Sequence, residues 1–413
     1  VVVGMIMEGR VQGILGRETL KKLARGAVLG LGAAVLAACQ GSSLGSLPGT
    51  QINPTGQPAV SGDVIGTGSV RVGLLLPLSG GGSATSIATV FRNSAELALS
   101  SFPNADVQLL VKDTGGTSQG GRAAAQSAIA EGAEFLLGPV FAPAVSGAAS
   151  SARASGVPMV AFSTDTSVAA RGVYLLSFLP ASDVKRIVGY ASSQGRRSFA
   201  ALLPDNTYGS VVEAAFRQEV GRTGGRIVSI QRYAAEGTDT ADLVSKTQAI
   251  ASALGQADTL FVPAGGGVPP LVLQTLISAG APLGNIKMIG SGQWDTPQLK
   301  NNQVMAGSWF PGPEENGFQT FAQRYQATYG SAPPRNATLA YDGVTLAAGL
   351  VRSAGQQRFS IPVLTNQDGF IGIDGLFRFL SNGQNERGLA VYQITGSGAQ
   401  AVSPAPRDFR SGS

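Results

Sequence analysis

Residues 71–77 read RVGLLLP and run into LSGGG at 78–82. The apolar run is too short for a helix and ends in a glycine-rich turn, so it reads as a buried strand. Residues 83–101 follow with Ile87, Val90, Phe91, Ala95, Leu97 and Ala98 on one side, which predicts a helix. A strand at 107–111, an alanine-rich helix at 118–131, a strand at 135–138, a helix at 143–155 and a strand at 158–162 continue the pattern. Strands alternating with helices of about 10–15 residues indicate βαβ units and a parallel sheet.

The rhythm then restarts. Helices are expected at 183–194, 208–222, 243–254 and 268–279, with strands at 199–203, 226–233, 259–262 and 287–290 between and after them. Helices near 318–329 and 338–354 and short strands around 377–379 and 389–394 close the chain. Two successive α/β units with a shared tail imply a cleft between the carboxyl ends of their strands, where ligands bind in open α/β sheets.

Composition excludes several chemistries. Of 413 residues none is histidine and one is cysteine. That removes a Ser-His-Asp triad, most catalytic zinc sites and any internal disulfide framework. No metal or other cofactor is expected. The net charge of +5 is concentrated in residues 1–38, whose five basic and two acidic side chains leave only +2 for the rest. No Lys/Arg cluster remains there to suit nucleic acid, and none is expected as a partner.

The amino-terminal segment is basic up to Arg25, then small or apolar from 27 to 38, and then reaches Cys39. Twelve such residues cannot span a bilayer as a helix, which needs about 20, but they fit the apolar region of an export signal. The residues LAAC at 36–39 resemble a bacterial lipobox. The resemblance implies cleavage before Cys39 and its acylation; the alternative is a buried free cysteine after a core helix. Gln40 after the cysteine leans towards the outer membrane by resemblance to the enteric sorting rule. Residues 39–68, rich in Gly, Ser, Pro, Thr and Gln, read as a flexible tether.

GSSLG at 41–45 matches a G-x-S-x-G pattern, but it lies in the tether and no histidine exists to activate its serine. Gly265, Gly266 and Gly267 follow a strand and precede a helix, either as a tight turn or as an anion site at a helix start. The polar loops after successive strands carry more. They hold Ser79, Phe141 and Ala142, Ser163, Thr164 and Asp165, Asp205 to Tyr208, and Gln293 to Asp295. Each alone is explained by helix capping. Together they suggest a cleft lined with hydroxyls, amides and backbone N–H groups, with no nucleophile–base pair.

Several segments in order resemble the type I periplasmic binding proteins of the branched-chain amino-acid receptor group. They are VGLLLPLS at 72–79, EGAEFLLGP at 131–139, GVPMVAFS at 156–163, DNTYG at 205–209, AYDGV at 340–344, GFIG at 369–372 and FRF at 377–379. The resemblance implies an α/β fold of two lobes, each a mainly parallel sheet flanked by helices, joined by three hinge crossings near 179, 309–313 and 365–369. Lobe 1 would comprise 69–180 and 313–366, and lobe 2 would comprise 181–312 and 367–405. Carried over by position, ligand contacts fall near Phe141, Ala142, Ser163 and Asp165 in the first lobe and at Tyr208, a ligand-stacking tyrosine, in the second. The polar and glycine-rich loops add Ser79, Thr164, Gly265, Gln293 and Asp295 to the candidate ligand-binding residues. The acidic residue that takes a ligand ammonium should follow Gly290, yet Ser291, Gly292 and Gln293 stand there. Asp165 or Asp295 would have to substitute.

The function implied first is an exported, lipid-anchored solute-binding protein on the periplasmic face of a membrane. It would hold a small polar, amino-acid-like ligand for an ABC permease or a sensor, and it is not an enzyme. LLPLSG at 75–80 and LGPV at 137–140 also suit lipoprotein activators of penicillin-binding proteins, which share the fold. That alternative needs a partner protein and no closed ligand site.

Overall fold

The computed structural model describes residues 57–235 and 240–409. The lipidation position Cys39 and most of the tether lie outside the described residues.

The first sheet contains β1 (Val64–Ile65), β2 (Val70–Leu76), β3 (Val107–Asp113), β4 (Ala133–Leu137), β5 (Met159–Ala161) and β6 (Val173–Leu175). Its order is β1-β3-β2-β4-β5-β6, parallel except for β1 at the edge. All seven residues of β2 are buried. Helices cover both faces, which is why the run at 72–76 is uniformly apolar and not alternating. Phe91 of helix Gly82–Ser100 meets Phe162 edge to face on one side of the sheet. Helices Glu315–Tyr329 and Ala337–Ser353 join this same core through Phe321, Tyr341, Val344 and Ala347, although the second-lobe stretch from Pro180 to Gly312 precedes them.

The second sheet contains β7 (Ser198–Pro204), β8 (Arg226–Tyr233), β9 (Thr259–Phe261), β10 (Lys287–Ile289) and β11 (Trp309–Gly312). The chain then forms β12 (Phe370–Gly372), β13 (Gly375–Phe379) and β14 (Asn385–Arg387) as a separate antiparallel sheet. It ends with β15 (Ala390–Ile394) and β16 (Ala399–Ser403), which return to the second sheet. That sheet runs β16-β15-β11-β10-β9-β7-β8, with β7 to β11 parallel and the last two strands antiparallel.

The tail divides differently from the boundary read in the sequence. Phe377 and Phe379 of β13 are buried in the first lobe's core, and Asn385 and Arg387 of β14 donate to the Ser177 carbonyl. The short sheet therefore sits with lobe 1, and only the strands from Ala390 onward belong to lobe 2. The third crossing falls at residues 388–389, not at 365–369. The chain also passes between the two sheets at Leu179, which precedes helix Pro180–Ser193, and after β11 at Pro313.

Candidate functional site

The three crossings meet at a cavity of about 860 Å³. Phe178 and Pro180, Pro313, and Leu389 line it from the first, second and third crossing. Its other walls come from both lobes, with Thr164, Phe318 and Arg335 on one side and Tyr208, Gln293, Asp295 and Lys300 on the other. The volume and the mix of apolar wall with a few polar groups are those of a small-molecule site.

Local sequence explains how the second lobe holds its share. Asn206 caps helix Thr207–Arg222 by accepting from the Gly209 N–H at 2.9 Å, and this sets Tyr208 at the strand end. The Tyr208 hydroxyl lies 3.2 Å from Ser291 Oγ and 3.3 Å from the Pro263 carbonyl. Burial pushes its hydroxyl up to about 12, so it stays protonated. Gln293 accepts from the Gly265 N–H at 3.0 Å and ties the loops after β9 and β10 together. Trp294 is fully buried and donates to the Ala264 carbonyl. A side chain at Gly290 would meet its ring at 2.1 Å, so glycine there is what admits the indole. Trp294 is thus core and not cleft.

The charged groups sort themselves. Lys300 donates to Asp295 at 2.8 Å and to Glu315 at 2.7 Å. Burial lowers its ammonium's pKa, but the two carboxylates outweigh that and hold it above its usual range. Arg335 lies over the Phe318 ring at 4.6 Å and reaches Asp374 at 2.8 Å and Asp295 at 3.9 Å. Asp183 is different. It stands in the first turn of helix Pro180–Ser193, and its Oδ2 accepts from the Gly292 N–H at 2.9 Å. No ion pair to Asp183 exists among the described residues, and burial pushes its carboxyl up to about 7.

Four of the residues singled out in the sequence line the cavity: Thr164, Tyr208, Gln293 and Asp295. The other six do not. Gly265 is held behind Gln293. The Ser79 N–H donates to Asp113 at the exposed end of β2. Phe141 lies beside Gly116, and Ala142 opens helix Ala142–Ala154. Ser163 Oγ accepts from the Asp165 N–H, and Asp165 caps the turn Thr166–Val168 through the Ser167 N–H at 2.9 Å. Hydrogen bonding from the Ser167 hydroxyl, and then from its N–H, holds the exposed Asp165 carboxyl below its ordinary value. Neither substitute carboxylate named above is free for a ligand: Asp165 is a cap outside the cavity, and Asp295 is paired with Lys300. Asp183, Lys300, Arg335 and Phe318 were not found from sequence. A cue for Asp183 existed in Pro180 and Asp183 opening a helix straight after a crossing. Lys300 follows Asp295 by five residues, so that pair is local; Arg335 carries no local cue, since only the fold brings it to Asp295.

Residues 69–400 match the family model described as periplasmic binding protein. No protein of curated function matches the chain. Similar solved structures include a protein of Rhodospirillum rubrum described as a branched-chain amino acid ABC transporter. It is 18% identical with a TM-score of 0.71, over 81% of this chain and 99% of that one. A substrate-binding protein of Desulfitobacterium hafniense in complex with Leu is 19% identical with a TM-score of 0.58, over 81% and 99%. A solute-binding protein of R. palustris in complex with benzoate is 17% identical with a TM-score of 0.56, over 83% and 98%. These likenesses establish the two-lobed fold.

Proposed function

The chain belongs to the periplasmic binding protein family, whose members bind solutes and are not enzymes, and we propose that it is the extracytoplasmic solute receptor of an ABC-type permease. Its ligand carries an amino or other cationic group against Asp183 and an apolar body between Phe178 and Phe318. The observation that carries this reading is the unmatched carboxyl of Asp183 in a cavity whose other acids, Asp295 and Glu315, are already paired. A buried carboxylate without a counter-charge is costly, and a ligand ammonium removes that cost. The Leu complex of the D. hafniense protein supports an amino-acid-like ligand, and the benzoate complex supports an apolar or aromatic body. Attachment to a membrane through Cys39, with the outer membrane favoured, rests on the sequence around that residue.

The test is calorimetry of the purified body with three sets of compounds: apolar amino acids, the same skeletons without the amino group, and the same skeletons as simple amines. Compounds bearing the amino group should bind, and Asp183→Asn should weaken them by about 1.5–3 kcal/mol, the worth of a charge-assisted hydrogen bond. Binding of the deaminated skeletons should be unaffected. If no compound binds while a penicillin-binding protein is retained by the body, the receptor reading fails and the activator reading replaces it.

A further inference from the structure

Three aromatic rings line the cleft, Phe178, Tyr208 and Phe318, and each of the two phenyl rings is covered by an arginine. The guanidinium carbon of Arg387 is 4.6 Å from the centre of Phe178, and that of Arg335 is 4.6 Å from the centre of Phe318. The two arginines come from different elements: Arg387 ends β14, and Arg335 stands just before helix Ala337–Ser353. They share one anchor. Asp374, wholly buried in the turn between β12 and β13, pairs with Arg335 at 2.8 Å and is the carboxylate that attracts Arg387 most strongly.

Arg387 is the unusual member. It is 5% exposed and does not line the cavity, so it covers Phe178 from behind. Its Nε donates to the Ser177 carbonyl at 3.0 Å, but both terminal nitrogens are buried with no hydrogen-bond partner. A guanidinium stays charged in a protein, and burying that charge is costly. In place of water it meets aromatic surface, Phe178 at 4.6 Å and Phe377 at 5.6 Å. Cation–π contacts are strongest where the cation is desolvated in this way. Burial, and then Asp374, push the Asp342 carboxyl up to about 7, so at pH 6 Asp342 is neutral and does not cancel the charge behind Phe178.

A cation over one face of a ring draws π density towards itself. The surface that Phe178 turns to the cleft is then poorer in electrons than that of an ordinary phenyl ring. A second ring laid against it gains when it is electron-rich and loses when it is electron-poor. A saturated body gains nothing of the kind. Arg335 acts on Phe318 in the same sense, while its charge is held by Asp374 and approached by Asp295.

We propose that Arg387 is a positioning residue that sets the specificity of the cleft: through Phe178 it selects ligands whose apolar body is an electron-rich aromatic ring. This rests on the reading of the cleft as the site of an amine-bearing solute. It narrows that solute to an arylalkylamine or aromatic amino acid, with its ring against Phe178 and Phe318 and its cationic group on Asp183.

The probes are 2-phenylethylamine, its 4-methoxy and 4-nitro derivatives, and 2-cyclohexylethylamine, titrated into the full chain by calorimetry at pH 6. The cyclohexyl compound buries more apolar surface than the phenyl one, so burial alone would place it first. The phenyl compound should instead bind about two- to tenfold tighter, the range that an aromatic pair adds beyond its area. The 4-methoxy compound should exceed the 4-nitro compound by a similar factor. Arg387→Gln should bring that methoxy-to-nitro ratio close to one, a change that loosened packing alone does not produce, because the two compounds fill similar space. Should that variant fail to fold, Phe178→Leu, at a half-buried position, should remove the preference for phenyl over cyclohexyl. Cyclohexyl binding as tightly as phenyl, a methoxy-to-nitro ratio that Arg387→Gln leaves intact, or a phenyl preference that Phe178→Leu leaves intact would each overturn the inference while the amine-receptor reading stands. If none of the amines binds, both fall together.

Discussion

Replacing Asp183 by Asn should stabilise the protein while removing its ligand contact, and the gain should depend on pH in a calculable way. The carboxyl is raised from 3.8 to about 7 by burial. At about 1.36 kcal/mol per pH unit the full shift corresponds to about 4 kcal/mol, and solvent screening of a partly buried side chain reduces it towards about 2. Below pH 3.8 both folded and unfolded chains hold the proton, so Asp183 contributes nothing. Between 3.8 and 7 the unfolded chain releases the proton and the folded chain keeps it, so stability falls as pH rises. Above 7 the loss is complete and constant. Asparagine keeps the oxygen that accepts from Gly292 and cannot ionise. The variant should therefore match the parent near pH 3.5 and exceed it by about 2–4 kcal/mol at pH 8. Urea denaturation followed by tryptophan fluorescence reads this directly, because Trp294 and Trp309 are both buried in the second lobe with Asp183. A difference that is flat with pH, or a variant less stable at pH 8, would refute the reasoning. In the parent protein a ligand ammonium would draw the carboxyl back down, so binding at pH 6 should release close to one proton, measurable as a dependence of the binding heat on the buffer.

Gly290→Ala should destabilise the second lobe by at least about 1–3 kcal/mol in urea, because the new methyl would overlap the Trp294 ring. Lys300→Met leaves Asp295 and Glu315 facing each other without their shared cation, and should cost about 1–3 kcal/mol, less than a fully buried pair because Lys300 keeps some solvent contact. Cys39→Ala should release the body from membranes into the soluble fraction; a variant that stays bound through a high-salt wash would rule out the lipid anchor.

What could be read from the sequence was whatever short-range patterning determines. The run at 71–76 reads as a strand because both of its faces are covered, and the helix at 118–130 reads as one because Ala124, Ala125 and Ala128 pack on the sheet core while Gly121 meets helix Ala142–Ala154. Strand Val173–Leu175 went unseen because three residues carry no period. The home of β12 to β14 was misjudged because nothing local says whether Phe377 faces the first core or the second. Loops at strand ends gave half of the cleft, through Thr164, Tyr208, Gln293 and Asp295. The other half lies in contacts across long stretches of chain, such as Lys300 with Glu315 and Arg335 with Asp374.

Those long-range contacts also bear on how the cleft could work. Lys300 belongs to the second lobe and Glu315 opens a helix of the first, and they sit on either side of the crossing at Pro313. Arg335 of the first lobe likewise approaches Asp295 of the second. These pairs already satisfy the charges nearest the hinge, so a ligand gains little from them. Asp183, by contrast, is held by one N–H and begins the first element after the crossing at Leu179. A ligand can close two lobes only through contacts that are better in the closed state. Neutralising Asp183 is such a contact, provided the ligand's other end rests on the first lobe at Phe318 or Thr164. A ligand with the cationic group alone should bind the second lobe without closing the protein. One that also carries the apolar body should bind and close it, which small-angle scattering would register as a smaller radius of gyration for the second compound only.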